Sequence, residues 1–325
     1  MIKTYTFFLL SLILVGCISK EKKTATTDNS KATSIKNEVT LAYKTEAKLG
    51  EGAIWNYKTN ALLWIDIEGK AVHIYNPKTN KNRKIATPSR IGTIVPKNDG
   101  DVLVALEDGM YNLNLETETF TLFSDMKSDL ADSRLNDGKC DPSGRLWVGS
   151  MHLEQLEGKA NLYTINGRGE KETKIKNVTI SNGIVWTSDK KTMYYIDTPT
   201  SQITAYDYDN ETGAISNKRI AVSIPTELGF PDGMTIDEEN MLWVGMWNGN
   251  AVIRFNPETG KVLEKIEVPA HNITSCAFGG DNLDVLYITS ATVDMSDDEL
   301  KEYPLAGSVF KVVPGVKGVK SSFFK

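Results

Sequence analysis

The chain has 325 residues, 40% of them apolar and 24% charged, with a formal net charge of −5. No basic cluster falls on any strand-like segment, which excludes a nucleic-acid footprint and leaves small neutral or weakly charged ligands open. The three cysteines, Cys17, Cys140 and Cys276, are too few for a disulfide framework, and Cys140 and Cys276 read as small buried residues far apart in the chain.

In chain order, residues 1–16, MIKTYTFFLLSLILVG, combine a Lys, an apolar run and a small residue ahead of Cys17. That is the layout of a cleaved export signal, and the run is too short to span a bilayer as a helix. Leu14-Val15-Gly16-Cys17 resembles the bacterial lipobox, in which the cysteine receives lipid and becomes the new N-terminus. An ordinary signal peptide with an incidental cysteine is the alternative. Residues 17–37 are rich in Lys, Thr, Ser and Asn with almost nothing apolar, so beyond the lipidated Cys17 they read as a disordered tether. The expectation is a protein of the bacterial cell envelope, facing the periplasm or the cell surface, that meets the membrane only through this anchor.

Residues 38–325 are dominated by strand signals: short runs of Trp, Tyr, Val and Ile between turn clusters such as NYKTN, DPSG, TSDKK and DEEN. The segments LLWIDI (62–67), VLVAL (102–106), LWVGS (146–150), MYYID (193–197), LWVGM (242–246) and VLYIT (285–289) recur with a period of about 45 residues. Each follows a strand that opens on a small residue, and each precedes a second apolar run ending in a polar turn. The expected fold is therefore all-β, a six-bladed β-propeller with four-stranded blades. The segment EVTLAYKTEAKL (38–49) precedes the first unit and can close the ring by pairing with the last blade. Trp64, Trp147 and Trp243 occupy equivalent repeat positions, which fits packing better than a ligand platform.

The repeats start at LGEGAIW, RIGTIV, LNDGKC, SNGIVW, PDGMTI and ITSCAF. The residue before the glycine is Glu51 in the first, Asp137 in the third, Asn182 in the fourth and Asp232 in the fifth. In a propeller these first strands line the central channel, so side chains distant in sequence converge at one face. Turn-forming propensity explains any one of them. As a set they bring Glu51 and Asp232 close together in a partly desolvated channel, which favours a bound cation. Oxygen donors without His or Cys favour Ca²⁺, Mg²⁺ or Mn²⁺ over Zn²⁺.

The segments LGEGAIW, RLNDGKCDPSGRLWVGSM, SNGIVWTSDKKTMYYIDT and PDGMTIDEENMLWVG resemble those of the regucalcin/gluconolactonase family of six-bladed propellers, from about Glu46 to Val319. The resemblance implies hydrolysis of sugar lactones and one divalent metal held by Glu51, Asn182 and Asp232. It also implies a substrate pair, Arg134 and Asn136, and a further substrate-contacting acid, Glu154. The loop HLEQLEGKA (152–160) is shorter than in animal members, which bears on the role of Glu154.

A metal with open positions polarises a lactone carbonyl and acidifies bound water, with Asp232 as ligand and general base. Arg134 and Asn136 suit a carbonyl oxygen or sugar hydroxyls; alone, they would read as a surface salt bridge and a turn residue. There is no G-x-S-x-G, and His73, in an expected outer strand, His152, in the shortened loop, and His271 are scattered, so a nucleophilic triad is disfavoured. Two other functions fit the same residues: a non-catalytic Ca²⁺-binding propeller that recognises a carbohydrate or protein, and a promiscuous esterase or organophosphate hydrolase.

Overall fold

The six apolar segments of the repeat become the second strands of six four-stranded antiparallel sheets, each wound from an inner strand to an outer one. The structure, a computed structural model, describes residues 38–325. The export signal, Cys17 and the tether expected at 1–37 lie outside the described residues. The inner strands are Gly50–Asn56, Ile91–Pro96, Ser133–Cys140, Ser181–Trp186, Phe230–Ile236 and Asn272–Gly279. They neighbour one another in sequence order, and the first lies beside the last, so the six sheets form the blades of a closed propeller.

Closure uses the chain's own ends. The strand Thr40–Tyr43 pairs antiparallel with Val309–Val312 and supplies the outermost strand of blade 6. The segment expected to close the ring does so.

Burial follows position in the blade. The inner and second strands of blade 1, Gly50–Asn56 and Ala61–Asp66, are buried at every residue, because neighbouring blades cover both faces. Such strands read as continuous apolar runs instead of alternating ones. The outer strands Lys81–Ala86 and Ile215–Ser223 are mostly exposed and carry lysine and arginine, which discourages edge-to-edge pairing with another chain.

Trp64, Trp147 and Trp243 are fully buried between blades, as their repeat positions suggested. In blades 3 and 5 the same device recurs around them. Asp141 Oδ2 accepts from Trp147 Nε1 at 2.9 Å and Arg145 Nε at 2.7 Å. Asp237 Oδ2 accepts from Trp243 Nε1 at 2.9 Å and Arg254 Nε at 2.8 Å. Their Oδ1 atoms cap the turn that follows, through the N–H groups of Ser143 and Arg145, and of Glu239 and Met241. In blade 1 the partner differs: Trp64 Nε1 donates to Asn82, whose amide donates in turn to His73 Nδ1 at 2.8 Å. His73 lies in the third strand of its blade, Ala71–Asn76, and stacks on Trp64 with ring centroids 3.8 Å apart. Burial, with Lys84 nearby, lowers its pKa to about 4, so it stays neutral. Cys140 and Cys276 are buried free thiols.

Candidate active site

All six inner strands break register with their second strand near the same end. In blade 5 Pro231 pairs with Met246 and Met234 with Val244, leaving Asp232 and Gly233 without ladder partners. In blade 4 Ser181 pairs with Asp197 and Ile184 with Tyr195, which frees Asn182 and Gly183. These are β-bulges, which re-aim a side chain that the regular pleat would send elsewhere. Glycine is needed there for room: a Cβ on Gly183 would sit 2.5 Å from the Cβ of Met234 in the next blade. In blade 1 the bulge follows Glu51, and Gly52 takes φ +60°, a conformation that suits glycine. An Asp between Pro231 and Gly233 is thus a bulge residue turned to the channel.

Blade 3 corrects the sequence alignment by one position. Leu135 pairs with Ser150 and Gly138 with Val148, so the unpaired residues are Asn136 and Asp137. Asn136 is the structural equivalent of Asn182 and Asp232, and Asp137 takes the place of their glycines. Asn136 lines the mouth cavity and Asp137 does not. The buried Asp137 Oδ1 accepts from the N–H of Gly138 at 2.7 Å, and its Oδ2 has no partner. Burial raises its pKa.

The bulges open onto a cavity of about 700 Å³ whose lining includes Glu51, Arg134, Asn136, Asn182 and Asp232. All five are buried, with 5–8% of their surface exposed. Arg134 Nη1 donates to Asn136 Oδ1 at 2.6 Å. Asn136 Nδ2 donates to Asn182 Oδ1 at 3.1 Å and to the Ser181 carbonyl at 2.8 Å. Asn182 Nδ2 donates to Thr198 Oγ1 at 2.7 Å, and Thr198 Oγ1 donates to the Pro231 carbonyl at 2.8 Å. The chain of bonds runs from blade 3 to blade 5.

Electrostatics single out the same spot. Burial is the largest cause raising the pKa of both Glu51 and Asp232. The charge of Asp137 raises both further, and that of Glu51 raises Asp232, to which Glu51 is hydrogen-bonded. Two buried carboxylates that close must share a proton or a cation. Arg134 is pulled down to about 10, chiefly by burial, and stays charged at neutral pH.

Among the described residues no group of three or more His, Cys, Asp or Glu side chains is arranged to hold a metal. The donor set here is smaller and harder: two carboxylates and one amide oxygen. That chemistry, with the cost of the paired carboxylates, fits a hard divalent ion with room left for water or substrate.

Glu154 stands apart from the residues it was grouped with. It is exposed and does not line the cavity, whereas Leu153 and Gln155 on either side of it do. It lies in the turn after the strand Leu146–His152, where its N–H donates to His152 Nδ1 at 3.1 Å. His152 is also outside the lining. Sequence reasoning passed over Arg90, Glu68, Thr198, Phe230 and Trp247, which do line it. Arg90 is held by Glu68 at 2.9 Å and by Glu107 at 3.3 Å. Its one signal was its place at the head of RIGTIV, in the register of the other repeat starts.

Fold and site together define a six-bladed propeller whose bulged inner strands gather carboxylate, amide and guanidinium groups at one mouth of the channel. The chain belongs to the SMP-30/gluconolactonase/LRE-like family, whose model matches residues 49–292. It is 38% identical over 274 residues to the Bacillus subtilis (strain 168) protein named "Putative sugar lactone lactonase YvrE", covering 84% of this chain and 94% of that one. To regucalcin of Xenopus laevis it is 36% identical over 283 residues, with 85% and 95% of the two chains covered. Among solved structures, the calcium-binding protein regucalcin of Agrobacterium tumefaciens superposes with a TM-score of 0.85 at 26% identity, covering 89% and 98%.

Proposed function

We propose that the protein is a metal-dependent hydrolase that opens sugar lactones. The observation that carries this reading is the mouth itself: Glu51, Asn182 and Asp232 beside Arg134 and Asn136 in one cavity. A non-catalytic scaffold would need the first three alone. Relatives named as a sugar lactone lactonase and as regucalcin support the reading at the family level. The calcium-binding title of one solved relative supports a divalent metal, with Ca²⁺ placed first.

Glu51, Asn182 and Asp232 would hold the ion, which when bound supplies a Lewis acid for the carbonyl and a more acidic water. Arg134 donates to the lactone's oxygens as negative charge gathers on the carbonyl oxygen. Asn136, held by Arg134, orients Asn182 and the ring hydroxyls. Asp232 takes a proton from the attacking water as its oxygen bonds to the carbonyl carbon. It returns that proton to the ring oxygen as the ester bond breaks, so lactone and water give one hydroxy acid. Burial of these groups in the channel keeps the local dielectric low, which strengthens each contact.

A pH-indicator assay tests the reading. Glucono-δ-lactone hydrolysis should be lost after chelation and restored by adding back Ca²⁺, Mg²⁺, Mn²⁺ or Zn²⁺ in turn. Undiminished turnover by metal-free protein contradicts the metal's role, and faster turnover of aryl esters or phosphotriesters than of lactones contradicts the substrate class.

A further inference from the structure

The cavity is larger than a single lactone needs. At about 700 Å³ it falls among the pockets, roughly 300–1,000 Å³, that enclose drug-sized ligands, and one sugar ring is far smaller than such a ligand. The unused part has a definite character. Phe230 opens the inner strand of blade 5, Trp247 ends its second strand, and the two are direct partners across the antiparallel ladder. Directly opposed residues present their side chains on one face of the sheet. Both line the cavity. Phe230 keeps 38% of its surface exposed and Trp247 is half-buried, so neither is consumed by packing between blades, unlike Trp243 in the same second strand.

Position ties this pair to the reacting groups. Phe230 precedes Asp232 by two residues in the strand Phe230–Ile236 and pairs with Trp247 just before the bulge, so the aromatic pair lies beside the reacting groups and not among them. Blade 5 faces blade 2 across a six-membered ring, which puts the aromatic wall opposite Arg90. The same lining carries Asn248, which follows Trp247 in the chain, with Gln155 and Asp294, beside apolar Leu153, Pro199 and Val293.

We propose that Phe230 and Trp247 form a subsite for a second sugar ring, and that the substrate class is the lactone of an oxidised disaccharide. The proposal rests on the lactone-hydrolase reading and names its substrate. A pyranose offers an apolar C–H face to an aromatic ring and hydroxyls at its edge. The aromatic pair meets the face, and Gln155, Asn248 and Asp294 can meet the hydroxyls. An alkyl chain would use the aromatic pair and displace water from those polar groups without replacing its hydrogen bonds.

The test compares kcat/KM of the full-length protein, saturated with Ca²⁺, on glucono-δ-lactone, on the lactones of maltobionic, cellobionic and lactobionic acids, and on γ-nonanolactone. The parent should favour at least one disaccharide lactone over gluconolactone. Trp247→Ala and Phe230→Ala should lower kcat/KM for that lactone about tenfold more than for gluconolactone, mainly through KM. Trp247→Phe should retain most of the preference, which a purely structural role would not require. Gluconolactone turnover with no preference for any disaccharide lactone overturns the subsite alone. So does a preference for nonanolactone, or an equal loss on all substrates in the alanine variants. A parent that opens no lactone under any metal removes the underlying reading as well.

Discussion

At the scale of single residues, the orientation of Asn182 is fixed by a proline. The Pro231 carbonyl can only accept, so the Thr198 hydroxyl spends its one proton there and must accept from the Asn182 amide nitrogen. The Asn182 oxygen is therefore the atom turned to Asn136 and the floor. This is the end of the amide that a hard cation requires. Thr198→Val keeps the shape and removes the hydroxyl. Calorimetric titration should show Ca²⁺ binding weakened about 10- to 100-fold, with Thr198→Ser near the parent; equal affinities would show that Thr198 does not set the amide. Thr198 was invisible in the sequence because its role depends on a contact with the following blade. Glu51, Asn182 and Asp232 were visible because each stands beside a glycine in a repeat.

At the scale of elements, one register break, repeated in every blade, decides what faces the channel. The repeats were legible in the spacing of second-strand segments such as LWVGS and LWVGM, which fall in Leu146–His152 and Leu242–Trp247. The bulge register was not. Asn-Asp-Gly in blade 3 offers two acceptable residues, and only the pairing of Leu135 with Ser150 and Gly138 with Val148 shows that Asn136 occupies the bulge position. Glu154 escaped for a related reason: the turn after the second strand points its neighbours, not itself, at the cavity. The Asp–Trp–Arg device gives this scale its prediction. Asp237 is fully buried and accepts from Trp243, Arg254 and two turn N–H groups. Asp237→Ala leaves the Trp243 indole N–H and two turn N–H groups without their acceptor, and leaves Arg254 to Glu239 alone, and should cost about 3 kcal/mol, read as a lower urea midpoint. Asp237→Asn should cost less, since it keeps acceptors. A midpoint for Asp237→Ala within experimental error of the parent would reduce the device to packing alone.

At the scale of the whole molecule, ring closure by Thr40–Tyr43 against Val309–Val312 turns six local bulges into one site. Glu51 and Asp232 come from blades 1 and 5, Asn182 from blade 4, and Arg134 with Asn136 from blade 3. The number of blades and their convergence followed from periodicity, since a propeller can place its inner strands only around one axis. The content of the cavity walls did not, because Phe230 and Trp247 belong to strands whose other large residues face the packing between blades. A lipid anchor at Cys17, expected from the sequence alone, would change where this ring resides without entering its chemistry. The central claim is that Asp232 both binds the metal and moves the proton. Its most direct test measures lactone hydrolysis by Asp232→Asn and Asn182→Ala at metal concentrations shown by calorimetry to saturate each variant. Asn182→Ala should recover much of its activity at saturation, while Asp232→Asn should remain about 10²-fold or more below the parent. Parent-like turnover by metal-saturated Asp232→Asn would contradict that claim.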